Sequence, residues 1–159
     1  MSEPESIAGL KRQVAERAAG YCEYCRSQSR FTVQPFSVEH IEPRSGGGKT
    51  NAENLALSCQ GCNNHKYNKT VGTDPATGEA APLFHPRKKR WRDHCAWSED
   101  GTQVLGLTPT GRATVVTLRL NREGVVNLRR VLFAAGEHPP REPTGPDADV
   151  PPASPPAVP

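Results

Sequence analysis

The feature that most constrains this chain is a pair of Cys-x-x-Cys motifs. Cys22 and Cys25 form the first motif, Cys59 and Cys62 form the second, and 33 residues separate Cys25 from Cys59. Four thiolates in two such pairs suit one tetrahedral zinc ion, which would join two segments that are distant in sequence. The alternative is two unrelated buried pairs. The paired spacing favours a structural Zn²⁺ site.

The composition is typical of one modest domain rather than a membrane or secreted protein. The chain has 159 residues, of which 35% are hydrophobic, so its core is small and a metal ion would help to stabilise it. It contains no run of 18 apolar residues, and its first residues lack a hydrophobic signal segment. We therefore expect a cytoplasmic protein with no membrane partner, in which reduced thiols bind metal and do not form disulfides. The fifth cysteine, Cys95, is interpreted as a small buried side chain.

Polar residues that can carry chemistry lie between and just after the cysteine pairs. Glu39 and His40 sit in a β-rich run, residues 36–41, which a glycine-rich turn follows. Asn54 precedes a short apolar segment, and Asn63 directly follows Cys62. Alone, His40 would be interpreted as a satisfied polar residue at a strand end. Its combination with an acid, two asparagines and a zinc frame indicates a functional site.

Together these residues resemble the HNH endonuclease family over about a third of the chain. The resemblance implies a ββα-metal fold, in which a hairpin carries His40 on its first strand and the next helix carries Asn63 near its start. It rests on the segments Glu39-His40-Ile41-x-Pro43-Arg44-Ser45-x-Gly47, Asn54-Leu55 and Cys59-x-x-Cys62-Asn63-x-x-Lys66.

The resemblance also implies a role for each polar residue. His40 would be the general base, since an ordinary imidazole pKa near 6.5 leaves it neutral at physiological pH. Glu39 and Asn63 would bind a catalytic cation, and their oxygen ligands suit Mg²⁺ or Mn²⁺. Asn54 would organise the loop that holds His40. In a regular strand Glu39 and His40 face opposite sides, so sharing one site requires the bent strand end that the family has.

The expected partner is DNA. The net charge of +3 is small, but residues 87–92 read RKKRWR, and we name this run the basic segment. A solvated charge run is the usual interpretation of such a stretch; Trp91 inside it favours a nucleic-acid surface, since it could stack on a base or anchor the segment. The candidate substrate-binding residues are Arg44, Lys49, Lys66, Arg87, Lys88, Lys89 and Arg90.

The predicted fold class is α+β, with an HNH core stapled by zinc and flanked on both sides. Residues 1–70 would hold an N-terminal helix, over about 6–19, and the nuclease core, whose last helix would run from 60 to 69. Residues 71–136 would form a basic C-terminal extension: a linker at 71–81, a β-hairpin around the turn at 99–101, and helices from 109 to 119 and from 122 to 135. Residues 137–159 are rich in proline and predict a disordered tail.

Two alternatives to a DNA endonuclease remain open. In one, the chain is a non-catalytic zinc-containing module that only binds nucleic acid, and the Glu39–His40 pair is incidental. In the other, the same site acts on RNA, because the catalytic residues do not determine the sugar of the substrate. A DNA cleavage assay would distinguish the endonuclease from the module that only binds nucleic acid.

Overall fold

A computed structural model of the chain describes residues 6–140. In that range the protein is a mixed α and β fold whose strands form three two-stranded antiparallel pairs. The predicted α+β class is confirmed, with the N-terminal helix, the core hairpin and helix, and the C-terminal hairpin and two helices all present. The elements in chain order are α1 (Ile7–Arg17), β1 (Ser37–His40), β2 (Leu55–Ser58), α2 (Gln60–Lys66), β3 (Val71–Thr73), β4 (Ala80–Pro82), α3 (Trp91–His94), β5 (Cys95–Trp97), β6 (Val104–Gly106), α4 (Pro109–Thr117) and α5 (Glu123–Ala134).

Helix α1 forms where the sequence provides a cap and an apolar stripe. The Oγ of Ser6 accepts a hydrogen bond from a first-turn backbone N–H at 3.0 Å, which satisfies one of the free donors at the start of the helix. Leu10 and Val14, four residues apart, lie on one face and are buried. That face packs against Leu55 and Leu57 of β2. The helix thus covers one side of the central hairpin.

The central hairpin is short and regular. Strands β1 and β2 pair antiparallel over four residues each, with Ser37 opposite Ser58 and His40 opposite Leu55, and no residue is skipped. Helix α2 follows β2 after one residue, Cys59. It ends at Lys66 and not at residue 69 as predicted, because Tyr67 has a positive φ of 51°, which is incompatible with a continuing α-helix.

The largest buried cluster joins the zinc-motif region to the C-terminal half of the chain. Its members come from both cysteine motifs, from the hairpin and from segments after residue 80, so the C-terminal extension and the core share one interior. The buried members are Cys22, Tyr24, Cys25, Ile41, Ala56, Cys59, Cys62, Ala81, Leu83, Phe84, Trp91, Cys95, Val104, Ala113, Leu118 and Leu120.

One local prediction was wrong. The segment 71–81, expected to be a linker, contains the β3–β4 hairpin. A contact from α4 stabilises this hairpin: Asp74, in its turn, accepts two hydrogen bonds of 2.8 Å from the guanidinium of Arg112. The partner lies 38 residues away, so local composition does not reveal the hairpin.

The C-terminal half follows the prediction closely up to residue 136. Strands β5 and β6 pair around the predicted turn, and α4 begins with Thr108 as its cap. The packed structure extends past the predicted start of the disordered tail, because His138 is buried and its Nε2 lies 2.8 Å from the carbonyl oxygen of Gly101. Residues 141–159, the rest of that tail, lie outside the described residues. Between residues 6 and 140, no helix combines the length and the apolar character that a membrane crossing requires.

Candidate active site and metal centre

The four motif cysteines meet in one buried cluster, here called the cysteine cluster. Their sulfur atoms all lie within 4.8 Å of one another, and the Sγ atoms of Cys25 and Cys59 are 3.6 Å apart. A tetrahedral site with Zn–S bonds of about 2.3 Å has S–S edges of about 3.8 Å. Burial raises the pKa of the Cys22 thiol, whereas hydrogen bonds from the other three thiols lower that of Cys25. The arrangement fits zinc in both donor type and size.

The two residues inside the first motif connect the cysteine cluster to its surroundings. Glu23 is fully buried, accepts a hydrogen bond of 2.8 Å from the backbone N–H of Leu57 and forms an ion pair with Arg87. The hydroxyl of Tyr24 donates to the Oε1 of Glu39 at 2.5 Å. Tyr24, which lies between two cysteines of the cluster in the chain, therefore links this loop to the carboxylate expected at the active site. Sequence reasoning assigned neither residue, since both look like ordinary loop side chains.

His40 lies at the end of β1 with its ring partly open to solvent. Its Nε2 is 2.8 Å from the Oγ1 of Thr50, and the described residues give its Nδ1 no hydrogen-bond partner. The pKa of His40 is lowered, first by partial burial and then by the positive charges of Arg44 and Lys66. The imidazole is therefore neutral at physiological pH. Thr50 is a site residue that the sequence analysis missed, because its hydroxyl reaches His40 across a ten-residue loop.

Asn54 fixes the loop that follows His40. It is buried, and its Oδ1 accepts from the backbone N–H of Glu42 at 2.9 Å while its Nδ2 donates to the carbonyl oxygens of Glu42, at 3.0 Å, and Lys49, at 2.9 Å. One amide thus joins both ends of the loop. The chain also passes close to itself at Gly48, where a Cβ atom would lie 1.9 Å from the carbonyl oxygen of Glu42. This geometry fits the organising role expected of Asn54.

Glu39 points away from His40, into the interior between β1 and α2. The β1–β2 pairing has no bulge, so adjacent side chains face opposite sides and the expected bend of the strand end does not occur over residues 37–40. The Oε2 of Glu39 lies 3.6 Å from the Nζ of Lys66. Burial raises the pKa of Glu39, and the positive charge of Lys66 opposes that shift.

Lys66 lies inside the protein and not on the surface, where the sequence analysis placed it as a phosphate contact. Its side chain is 1% exposed. Its Nζ donates to the carbonyl oxygen of Ile41 at 2.8 Å and lies 3.4 Å from that of His40. Lys66 therefore compensates the buried Glu39 carboxylate and holds the backbone at the end of β1, so in this arrangement it contacts no substrate.

The donor set near α2 suits a hard cation. Asn63 precedes Lys66 by three residues on α2, a spacing at which two side chains share one face of a helix. One carboxylate and one amide oxygen match Mg²⁺, which usually takes one or two carboxylates and keeps several waters. Apart from the cysteine cluster, the described residues hold no group of three or more His, Cys, Asp or Glu side chains placed to share an ion. A cation here would therefore have Glu39 as its charged protein ligand and would compete with Lys66 for it.

The predicted substrate-binding residues divide into a surface group and an interior group. Arg44, Lys49 and Lys88 are exposed, and Lys88 lies 3.9 Å from Glu42, which places the basic segment beside the loop after His40. Lys89 and Arg90 are partly buried, and the Nζ of Lys89 is 3.5 Å from Thr110 Oγ1.

Arg87 and Trp91 belong to the interior and hold the basic segment in place. Arg87 is the ion-pair partner of buried Glu23, so it was wrongly expected on the substrate surface. Trp91 is 5% exposed and its Nε1 donates to the carbonyl oxygen of Tyr24 at 2.7 Å. Of the two roles considered for this aromatic residue, the structure shows the anchor, since a ring buried this deeply presents no face for a base to stack on.

Comparison with known proteins gives one result for the central region. The model of the family described as HNH endonuclease matches residues 22–69, a range that runs from the first zinc-motif cysteine to just beyond α2. No curated protein and no solved structure matches the chain. The matched range contains the cysteine cluster, His40, Asn54 and Asn63. Residues 22–69 thus match the HNH endonuclease family, the family that the sequence motif resembles.

Proposed function

We propose that this protein is a metal-dependent endonuclease that hydrolyses phosphodiester bonds in DNA, with His40 as the general base. The observation that carries the proposal is the state of His40: a neutral imidazole at the surface, with one nitrogen engaged by Thr50 and the other open. It lies beside a loop that presents Arg44 and Lys49 to solvent. A base facing a cationic surface is what attack on a phosphodiester requires.

Thr50 determines which nitrogen of His40 acts. When Nε2 carries the proton and donates a hydrogen bond to the Thr50 hydroxyl, Nδ1 keeps a free lone pair. That lone pair can accept a proton from a water molecule as the water attacks phosphorus. The hydrogen bond to Thr50 also fixes the ring orientation, and Asn54 fixes the loop that carries Thr50. The base and its support are then held by one short stretch of chain.

Glu39 and Asn63 would hold the catalytic Mg²⁺ or Mn²⁺. When bound, such an ion neutralises charge on the scissile phosphate and stabilises the leaving oxygen. Tyr24 orients the Glu39 carboxylate by donating to its Oε1, so the other oxygen, now paired with Lys66, is the one that an ion would take. Lys66 then remains bonded to the carbonyl oxygen of Ile41. The chemistry of these donors, all of them oxygen, supports the proposal.

The substrate surface is formed by the exposed cations around His40. Arg44, Lys49 and Lys88 lie on the His40 loop and on the neighbouring basic segment, and each can contact a backbone phosphate. These contacts carry no base-edge specificity, because a phosphate is the same at every nucleotide. The chemistry therefore favours a nuclease that binds nucleic acid through its backbone.

A nicking assay on supercoiled plasmid tests the proposal. Purified protein with Mg²⁺ should nick the plasmid, an excess of chelator should stop it, and His40→Ala should lower the rate by about 10²- to 10⁴-fold while leaving zinc content and thermal unfolding unchanged. His65→Ala is the matched control: His65 is a partly buried histidine of α2, and its pKa is lowered first by burial and then by Arg119, Arg122 and Lys69, none of which is among the cations that lower the pKa of His40. It should retain activity.

The outcomes separate the alternatives. Binding to DNA without cleavage in any divalent metal would contradict the endonuclease proposal and support the non-catalytic binding module. Cleavage of an RNA of matched sequence with the plasmid left intact would keep the site and change the substrate. Undiminished cleavage by His40→Ala would refute the assignment of the base.

A further inference from the structure

Arg122 contacts the cysteine cluster from outside the HNH-matched range. It lies at the N-terminal end of α5, where its Nη2 is 3.2 Å from the Sγ of Cys59 and its Nη1 is 3.7 Å from the Sγ of Cys62. Its Nη1 also donates to the carbonyl oxygen of Arg119 at 3.1 Å. The guanidinium is thus held by the backbone on one side and directed at two metal-site sulfur atoms on the other.

Gly61, between Cys59 and Cys62, is shaped to receive this guanidinium. A Cβ atom at Gly61 would lie 2.5 Å from Nη2 and 2.6 Å from Nε and Cζ of Arg122, far inside van der Waals contact. The planar group therefore lies directly against the Gly61 backbone, and only glycine allows it to come this close. This is a second observation, independent of the sulfur distances, that places Arg122 in the metal centre.

Electrostatics explains why a cation belongs here. Four thiolates around one Zn²⁺ carry a net charge of −2, and a buried charge needs a compensating partner. Arg122 brings one positive charge into direct contact with the sulfur atoms. Arg129 brings another: it is 3% exposed, lines the same small cavity as Cys25, and donates to the carbonyl oxygen of Leu120 at 2.8 Å. Both arginines come from the C-terminal extension.

We propose that Arg122 is the counter-ion and hydrogen-bond donor of the Cys₄ zinc centre, so that zinc retention depends on a residue well outside the HNH-matched range. The Arg122 N–H groups offset the negative charge of the buried zinc–thiolate centre, which favours the zinc-loaded form over the empty one. The same contact fixes the α4–α5 connection to the nuclease core. The inference rests on zinc occupancy of the cysteine cluster and not on nuclease activity.

Competition for zinc with the chromogenic chelator 4-(2-pyridylazo)resorcinol tests the proposal. Wild type should contain one zinc per chain, and Arg122→Met should lose it with an apparent dissociation constant about 10- to 100-fold higher, the range for partners of metal ligands. Arg122→Lys, which keeps the charge but cannot lie flat on Gly61, should fall between them. The matched control is Arg130→Met, an exposed arginine on α5 that contacts Asn127, and it should retain zinc as wild type does.

A double-mutant cycle with Gly61→Ala keeps the proposal testable if Arg122→Met folds poorly. The added methyl displaces the guanidinium, so Gly61→Ala should weaken zinc retention towards the Arg122→Met level, although alanine favours a helix by about 1 kcal/mol over glycine. In the Arg122→Met background the methyl meets no guanidinium, and Gly61→Ala should cost nothing further.

Several results would overturn the proposal: wild-type protein without zinc, wild-type zinc retention in either single variant, or losses that simply add in the double variant. His40→Ala distinguishes this inference from the proposed function, since it should abolish cleavage and retain zinc. Failure of cleavage with normal Arg122-dependent zinc retention would contradict the nuclease proposal alone.

Discussion

Replacing Lys66 by methionine removes the positive charge that pairs with Glu39 among the described residues, and it tests how the inner side of the site is stabilised. Methionine has a similar length and no charge, so packing changes little while the ammonium disappears. The Glu39 carboxylate, 6% exposed, would then lack its ion pair, and the carbonyl oxygen of Ile41 would lose a donor at 2.8 Å. We expect a large loss of stability.

The structure gives the size of that loss. Unit charges 3.6 Å apart, the separation of Nζ from the Glu39 Oε2, attract by about 5 kcal/mol at an effective dielectric constant of about 20. A hydrogen bond from a charged donor adds about 1.5–3 kcal/mol. Burying the Lys66 ammonium costs desolvation energy in wild type. The variant lacks this cost, which offsets part of the lost ion-pair and hydrogen-bond energy. The expected net loss is about 3–5 kcal/mol, the range for breaking one side of a buried ion pair.

Urea unfolding of zinc-loaded protein, followed by circular dichroism, measures this loss. The double variant Glu39→Gln/Lys66→Met removes both charges and keeps an acceptor for the Tyr24 hydroxyl, so it should recover to within about 1–2 kcal/mol of wild type. Lys11→Met, at an exposed position of α1, is the control and should change the free energy of unfolding by less than about 0.5 kcal/mol. If Lys66→Met costs less than about 1 kcal/mol, or if the second substitution adds a further loss, the ion-pair argument is refuted.

Three further predictions concern the base, the loop and the metal. Burial and nearby cations lower the pKa of His40, so kcat/KM for DNA cleavage should rise with pH and reach half its plateau below pH 6.5. In Arg44→Gln, which removes one of these cations, the pH of half-plateau should be higher than in wild type. A half-plateau above pH 6.5 in wild type would contradict the assignment of His40 as the base. Asn54→Ala removes three hydrogen bonds and should destabilise the protein by about 2 kcal/mol in urea unfolding, with a lower cleavage rate; an unchanged midpoint would refute the bridging role. Cys59→Ser should lose stoichiometric zinc, measured by atomic absorption, and should no longer unfold in a cooperative thermal transition. Cys95→Ser, at a buried position outside the cysteine cluster, is the control and should keep its zinc.

The parts of the site that the sequence predicted are those that depend on spacing. Two Cys-x-x-Cys pairs have few ways to meet, so the four sulfur atoms converge as expected. The hairpin and helix follow from an extended run, a glycine-rich turn and a second apolar run. The predicted bounds of α1, α4 and α5 agree with the structure to within about two residues. Asn54 joins the ends of its loop, and its part in holding His40 for catalysis stays a prediction.

The parts that the sequence did not predict depend on distant partners. Lys66 on a short polar helix looks like a surface residue, and it is buried because Glu39 and two backbone carbonyl groups, 25 to 27 positions earlier, surround its ammonium. Arg87 looks like one of the five cations of the basic segment, and its partner Glu23 lies in the first zinc motif. Local composition cannot reveal which cation of a run pairs with a buried acidic residue elsewhere in the chain.

Regular strand alternation also decided where Glu39 points. Neighbours on a regular strand face opposite sides, whereas the family resemblance implied a bent strand end. The structure keeps the alternation, so His40 is on the solvent side and Glu39 on the inner side of β1. The physical rule was sufficient here, and the proposed cation must reach Glu39 on the α2 side of the strand.

The alternation along β1 makes the site sensitive to the alignment of two very short strands. A slip of one position between β1 and β2 would turn the imidazole of His40 inwards and expose the carboxylate of Glu39 to solvent, so the buried and the solvent-exposed group of the site would change places. Only four residues of each strand pair, so the strands alone resist such a slip weakly. Asn54 at the foot of the hairpin pins the alignment. Extra residues between 43 and 49 would therefore lengthen a tethered loop, whereas one inserted inside β1 would invert the site.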